Sequence, residues 1–348
     1  MKKFISIIIC SCFMLTTIIG CATNGSEPTF NNPSSEGSSA HDNDANNLDT
    51  KDSSPNKINI ITTIFAPYDF TREIVGEHAD ITMLLPPGSE SHSYEPSPRD
   101  IIKIQDCDVF IHIGGESDKW LTEILDSIDT SNIKIVTLMD CVDVVEEELV
   151  EGMEDDHDHD DNGHDDDHND EPRELDEHVW TSPKNAKLMV AYIAEVLSEI
   201  DSTNAAIYEE NATAYLEQLN DLDNYFQEIV DSGVRKTIIF GDRFPFRYLA
   251  DAYDLDYFAA FPGCSTETEP SAATIAFLID KVNEEHIPVV FHAELSNMKM
   301  ANTISEATGA AVLLMHSCHN VTRDELQNGV SYIELMQQNA LNLKEALS

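Results

Sequence analysis

The stretch KINIITTIFAPYDFTREIVGEHADITMLLP (57–86) reads as strand, helix, strand. KINIITTI (57–64) is a near-continuous run of apolar and β-branched residues, the pattern of a strand covered on both faces. YDFTREIVGEHA (68–79) is amphipathic and supplies the helical crossover that parallel pairing requires, and DITMLLP (80–86) is apolar again. Outward from it the same rhythm continues: a short helix in SPRDIIKIQDC (97–107), a strand in VFIHIG (109–114), a helix in ESDKWLTEILDSI (116–128) and a strand in IKIVTL (133–138). It resumes in KTIIFG (236–241), LDYFAAF (255–261), IPVVFHA (287–293) and AAVLLMH (310–316). The intervening helices include PSAATIAFLIDKVNEEH (270–286) and NMKMANTISEATG (297–309). The fold class is therefore α/β, with two lobes, each a mostly parallel sheet flanked by helices.

Residues 183–232 lie between the lobes as two helical patterns. In the second, Leu216, Leu219, Leu222, Tyr225, Phe226 and Ile229 recur at three- and four-residue intervals. Pro183 stands near the start of the first helix and Gly233 just past the end of the second. A helix of about 28 residues spans roughly 42 Å, so a long rigid helix is expected to join the lobes. The layout is then 57–182 for the first lobe, 183–232 for the helices and 233–348 for the second lobe.

The charge is −45, from 65 Asp+Glu against 20 Lys+Arg. Phosphate recognition needs Lys/Arg surfaces, which argues against nucleic acid as a partner. General attraction to anionic lipid is excluded on the same ground, and what remains is cations. Hydrophobic residues make up 41%, enough for a core. At the N-terminus Lys2 and Lys3 precede FISIIICSCFMLTTII (4–19), which ends at Gly20-Cys21. This is the pattern of a signal peptide over 1–20, and the run is short for a spanning helix. Ile18-Ile19-Gly20-Cys21 resembles the lipobox of bacterial lipoproteins, so Cys21 is expected to carry a lipid and residues 21–56 to form a polar tether. The chain would then be extracytoplasmic, touching the cell membrane through its lipid anchor only. Residues 143–177 hold nineteen acids and one Arg. Within them EDDHDHDDNGHDDDHNDE (154–171) has no hydrophobic residue and reads as a disordered acidic loop. Its His157, His159, His164 and His168 suit a weak multi-ion zinc trap; the alternative is a solvated loop with incidental histidines.

His112 lies within a strand and reads as a satisfied structural histidine. His78 and His286 sit at helix ends, where histidine needs no further role. His92 lies in PPGSESHSYEPSPRD (86–100), His178 in DEHVWTSPKN (176–185), His292 at the end of IPVVFHA, and His316 and His319 in HSCHN (316–320). Asp242 and Arg243 follow KTIIFG. Most of these fall at carboxyl ends of strands, where open α/β sheets bind ligands, so imidazoles from both lobes can meet in one cleft.

The segments PPGSESHSYEPSPRD, GESDKWL (115–121), HVWTSPKNA (178–186) and FHAELSNMKMANTISEATGA (291–310) closely resemble the cluster A-I, zinc/manganese-type solute-binding lipoproteins of ABC importers, in their zinc-binding subfamily. The match runs from about residue 57 to the C-terminus. The resemblance implies two α/β lobes on a long helix, one metal ion in the cleft, and delivery of that ion to a permease and its ATPase. It also implies a monomer without enzymatic activity. His92 and His178 match the family's first two ligands. The third is normally the His of His-x-Ala-Phe-x-Tyr; here Arg243-Phe244-Pro245-Phe246-Arg247-Tyr248 lacks it. The fourth is normally an Asp after the last strand, and here His316 stands there. His316 is therefore expected as the third ligand and Asp242 as the fourth, with His292, Glu294, His319 or water as alternatives. Three imidazoles and a carboxylate or water suit Zn²⁺ as the transported ligand, whereas the alternative, Mn²⁺, prefers more oxygen donors.

Two other functions fit the fold. A zinc hydrolase would need a base, for which Glu294 is the candidate, but HExxH and GxSxG signatures are missing. A surface adhesin could use the same scaffold. Among the cysteines, Cys107 and Cys141 are expected at opposite edges of the first sheet. Cys264 and Cys318 share an edge of the second, where a disulfide would pin the His316 loop; two free thiols or a metal-ligating thiol are the alternatives.

Overall fold

The computed structural model describes residues 57–90, 94–153, 174–264 and 270–348. Cys21, His92, His157, His159, His164 and His168 lie outside the described residues, as do the leader, the tether and the acidic loop.

The first sheet contains β1 (Ile58–Thr62), β2 (Ala79–Met83), β3 (Val109–His112) and β4 (Lys134–Thr137), in the order β2-β1-β3-β4. The second contains β5 (Thr237–Phe244), β6 (Asp256–Pro262), β7 (Val289–His292) and β8 (Ala311–Leu314), in the order β6-β5-β7-β8. Every pairing in both is parallel. In each sheet the chain steps from one side of the first strand to the other, so β1/β3 and β5/β7 are equivalent switch points, and the carboxyl ends of those strands are where such sheets open a crevice.

The helices of the first lobe are α1 (Phe65–Val75), α2 (Pro98–Gln105) and α3 (Lys119–Ser127). Then come α4 (Pro183–Ile200) and α5 (Ala205–Ser232), followed in the second lobe by α6 (Arg247–Tyr253), α7 (Ala272–Glu285), α8 (Lys299–Thr308), α9 (Arg323–Gln327) and α10 (Tyr332–Ala346). Pro183 opens α4, where Ser182 accepts the Lys184 N–H, and Gly233 ends the 28-residue α5. Tyr208, Tyr215, Leu219, Leu222, Phe226 and Ile229 form the buried face of α5, which packs on α1, α4 and α10. α5 therefore touches elements that precede and follow it in sequence. Its apolar stripe, at roughly 1.5–3 kcal/mol per fully buried large side chain, is the main source of its stability.

α10 brings the end of the chain back to the first lobe. Tyr332 meets Phe70 edge-on at 4.9 Å, and its N–H reaches Asp69 Oδ2 at 2.7 Å. One hydrophobic core consequently runs through both lobes. Among the described residues no helix is long and apolar enough to cross a membrane.

The carboxyl edges of the two sheets are stitched together. Phe65 donates its N–H to the His319 carbonyl at 3.0 Å, and Gly88 donates to Val321 at 2.8 Å. Asn320 Nδ2 reaches both the Pro86 and Ser89 carbonyls at 2.8 Å, and Trp180 Nε1 donates to the Ser317 carbonyl at 2.7 Å. These bonds set the loop 316–321 of the second lobe against the first-lobe segments around residues 65, 88 and 180.

Candidate metal centre

His178 is fully buried at the start of the turn that leads into α4. Asp176 Oδ1 receives both its backbone N–H at 2.8 Å and its ring Nδ1 at 2.9 Å. A carboxylate only accepts, so Nδ1 carries the proton and the Nε2 lone pair is left for a ligand, the carboxylate–histidine arrangement that supports metal binding. Burial disfavours the charged ring, but the Asp176, Glu177 and Glu147 carboxylates outweigh it and raise the pKa of His178 above its ordinary value. Gly263, just past β6, closes on the same ring: a Cβ there would stand 3.0 Å from Cε1 and 3.1 Å from Nδ1.

The partner across the cleft is His319. Its ring meets that of His178 edge-on at 5.8 Å and that of Trp180 at 5.0 Å. Both histidines line a cavity of about 70 Å³ together with Glu90, Asp242, Arg243 and Glu294. That volume suits an ion and one or two small ligands. The first lobe thus contributes His178 and Glu90, and the second contributes His319, Asp242, Arg243 and Glu294.

The carboxylates of the second lobe already hold backbone in place. Asp242 accepts the Arg243 N–H at 2.9 Å through Oδ1 and the Ala293 N–H at 3.2 Å through Oδ2. Glu294 accepts the Ser317 N–H at 2.7 Å, the Ser317 hydroxyl at 2.5 Å and the His319 N–H at 3.3 Å. Glu294 therefore shapes the loop that presents His319. Arg243, in the place of the family's third imidazole, reaches Glu90 Oε2 at 3.2 Å across the cleft.

His316, expected as the third ligand from its position after the last strand, does not line this cavity but an adjacent one of about 170 Å³, with His292 and Glu325. Its Nδ1 accepts the Cys318 N–H at 2.9 Å. The neutral ring then carries its proton on Nε2 and has no lone pair left for a metal. His292 also stays outside the cleft, its Nδ1 donating to the Ala293 carbonyl at 2.8 Å. His112 has both nitrogens engaged, by Asp118 at 3.1 Å and Thr137 at 3.0 Å.

Of the alternatives left open for Cys264 and Cys318, the structure has two free thiols rather than a disulfide, and all four described cysteines are free. Cys318 is fully buried at φ +59°, with Sγ toward the His316 carbonyl at 3.8 Å. Cys264 is tied instead to the first lobe, where its N–H reaches Glu147 Oε1 at 2.8 Å. One group of three metal-competent side chains among the described residues, Glu177, His178 and Cys264, lies within 4.8 Å. Burial and the surrounding carboxylates of Glu177, Glu147 and Asp176 push the Cys264 thiol far up, and Glu177 accepts the Ser117 N–H at 2.8 Å. Asp176 and Glu177 escaped the sequence reading; the acids directly before His178 in DEHVW were the signal.

The chain as a whole is similar to known zinc-uptake proteins. A family model described as zinc-uptake complex component A, periplasmic (ZnuA) matches residues 60–346. The zinc-binding lipoprotein AdcA of Streptococcus pneumoniae R6 is 32% identical over 289 residues, covering 83% of this chain and 56% of AdcA, so the chain spans about half of that relative's length. The high-affinity zinc uptake system protein ZnuA of Bacillus subtilis is 32% identical over 296 residues, covering 85% of this chain and 89% of that protein. The crystal structure of the Zn(II)-bound ZnuA-like domain of S. pneumoniae AdcA superposes with a TM-score of 0.68 at 29% identity, covering 84% of this chain and 99% of that domain. These relatives are named for binding and uptake rather than catalysis. On the extent of the family match and the identity to both relatives, the chain belongs to the ZnuA family of zinc-uptake components.

Proposed function

We propose that this protein is the extracytoplasmic, lipid-anchored binding component of an ABC importer, which captures Zn²⁺ between its lobes and hands it to a permease driven by an ATPase. The observation that carries the reading is the pairing of His178, buried and oriented by Asp176, with His319 across a cavity of about 70 Å³. His178 and His319 serve as ligands from the two lobes, and His92, two residues beyond Glu90 in the sequence, is the third. Asp242, whose oxygens each retain a lone pair, or water takes the remaining position. Three imidazoles favour Zn²⁺ over Mn²⁺. Residues 154–171 act as a weak feeder for the same cation, and Cys21 carries the lipid.

The test is the zinc content of the full-length protein after washing with a chelator that strips weak sites. Wild type should keep about one ion and His178→Ala should lose it. A His178→Ala protein that keeps the tight ion would sink the reading.

A further inference from the structure

Arg243 is a cation set in the wall of a cation site. It lines the metal cavity together with Glu90, Asp242, Glu294 and the two histidines. The strand that carries it explains how it comes to be there. Adjacent residues of a regular strand point to opposite faces, but the register of β5 with β6 shifts between Phe240 and Arg243, so Asp242 and Arg243 both reach the cleft. The Arg243 side chain is 23% exposed, and its Nη2 lies 3.2 Å from Glu90 Oε2 on the first lobe. The Glu90 segment has other fastenings: Gly88 donates to the Val321 carbonyl, and Asn320 Nδ2 reaches the Pro86 and Ser89 carbonyls. What Arg243 adds is charge. A guanidinium keeps its proton in a protein, so it cannot shed that charge as an imidazole can. It neutralises one carboxylate of the lining and repels any dication that shares the cavity.

We propose that Arg243 is the residue that sets how fast this cleft gives up its ion. Zinc and the guanidinium draw on the same carboxylates and repel each other within a cavity of about 70 Å³. The site therefore binds zinc more loosely than its other side chains alone would, and releases it sooner. That suits a carrier, which must part with its cargo, better than a store. The proposal rests on the reading of the cleft as the zinc site.

The test is stopped-flow transfer of zinc from the loaded full-length protein to an excess of a chromogenic chelator. The background carries alanine at His157, His159, His164 and His168, which removes loop-bound zinc from the signal. Arg243→Gln removes the charge and should slow release at least tenfold, with equilibrium binding tighter by a similar factor. Arg243→Lys keeps the charge and should release zinc within threefold of the wild-type rate. Glu90→Gln, at an exposed position, removes the carboxylate that the guanidinium neutralises and should speed release several-fold. Release from Arg243→Gln at or above the wild-type rate overturns the proposal and leaves the zinc site standing, as does a Glu90→Gln rate at or below wild type. An Arg243→Lys protein as slow as Arg243→Gln overturns it too, because shape rather than charge would then set the rate. Failure of the underlying reading looks different, because tight zinc would then persist in His178→Ala.

Discussion

Asp176 Oδ1 accepts two hydrogen bonds from the same residue, the backbone N–H and the ring Nδ1–H of His178, at 2.8 and 2.9 Å. This double hold fixes both the tautomer and the angle of the ring, and removes its rotational freedom before any ion arrives. Outer partners of this kind contribute 10–100-fold in metal affinity. Asp176→Ala is expected to weaken zinc binding by that factor in a chelator competition, with the stoichiometry preserved. An unchanged affinity would mean that burial alone orients His178.

His316 and His319 lie three residues apart on one loop, yet only His319 enters the cleft. His319→Ala should abolish retention of the tight ion, and His316→Ala should leave it within a few-fold of wild type. His316 also anchors the loop through its backbone bonds to Asn339 at 2.7 Å, and these do not depend on the imidazole. Equal loss of zinc in the two variants would contradict the assignment.

That distinction marks where the sequence stops being informative. Strands such as VFIHIG and IPVVFHA are legible because burial on both faces writes itself as an unbroken apolar run. His178 is legible because HVW and the following Ser-Pro form a helix entry at a strand-rich lobe's edge. The choice between His316 and His319 depends on a turn at Cys318, with φ +59°, whose N–H reaches back to His316 Nδ1. A non-glycine residue in that conformation leaves no compositional trace. Nor does the destination of a thiol: Cys264 and Cys318 share a sheet edge, but a tie to Glu147 separates one from the other.

Asp69 makes stability depend on pH. It is fully buried, with Arg72 Nη2 at 2.5 Å and the Tyr332 N–H at 2.7 Å. Burial outweighs these partners and raises its pKa from 3.8 to about 6. The native state therefore holds this proton more tightly than the unfolded chain does. The corresponding stability is fully present below about pH 4 and is lost as pH rises through about 6, a change on the order of 3 kcal/mol. The difference in unfolding free energy between wild type and Asp69→Asn, from urea titrations, should fall by about that amount from pH 4 to pH 7. A flat difference would place the Asp69 pKa near that of the unfolded chain.

Gly241 sits in β5 where the register with β6 shifts, one residue before Asp242. A Cβ at this position would stand 2.6 Å from Ala301 Cα and 2.7 Å from Ala301 N, both backbone atoms of α8. Neither can rotate away as a side chain would, so Gly241→Ala must push α8 off the sheet. Overpacking of this kind typically costs about 1–3 kcal/mol. The urea midpoint should fall accordingly with the slope unchanged. Zinc retention, which rests on His178 and His319, should persist. A variant with wild-type stability would show that α8 yields freely.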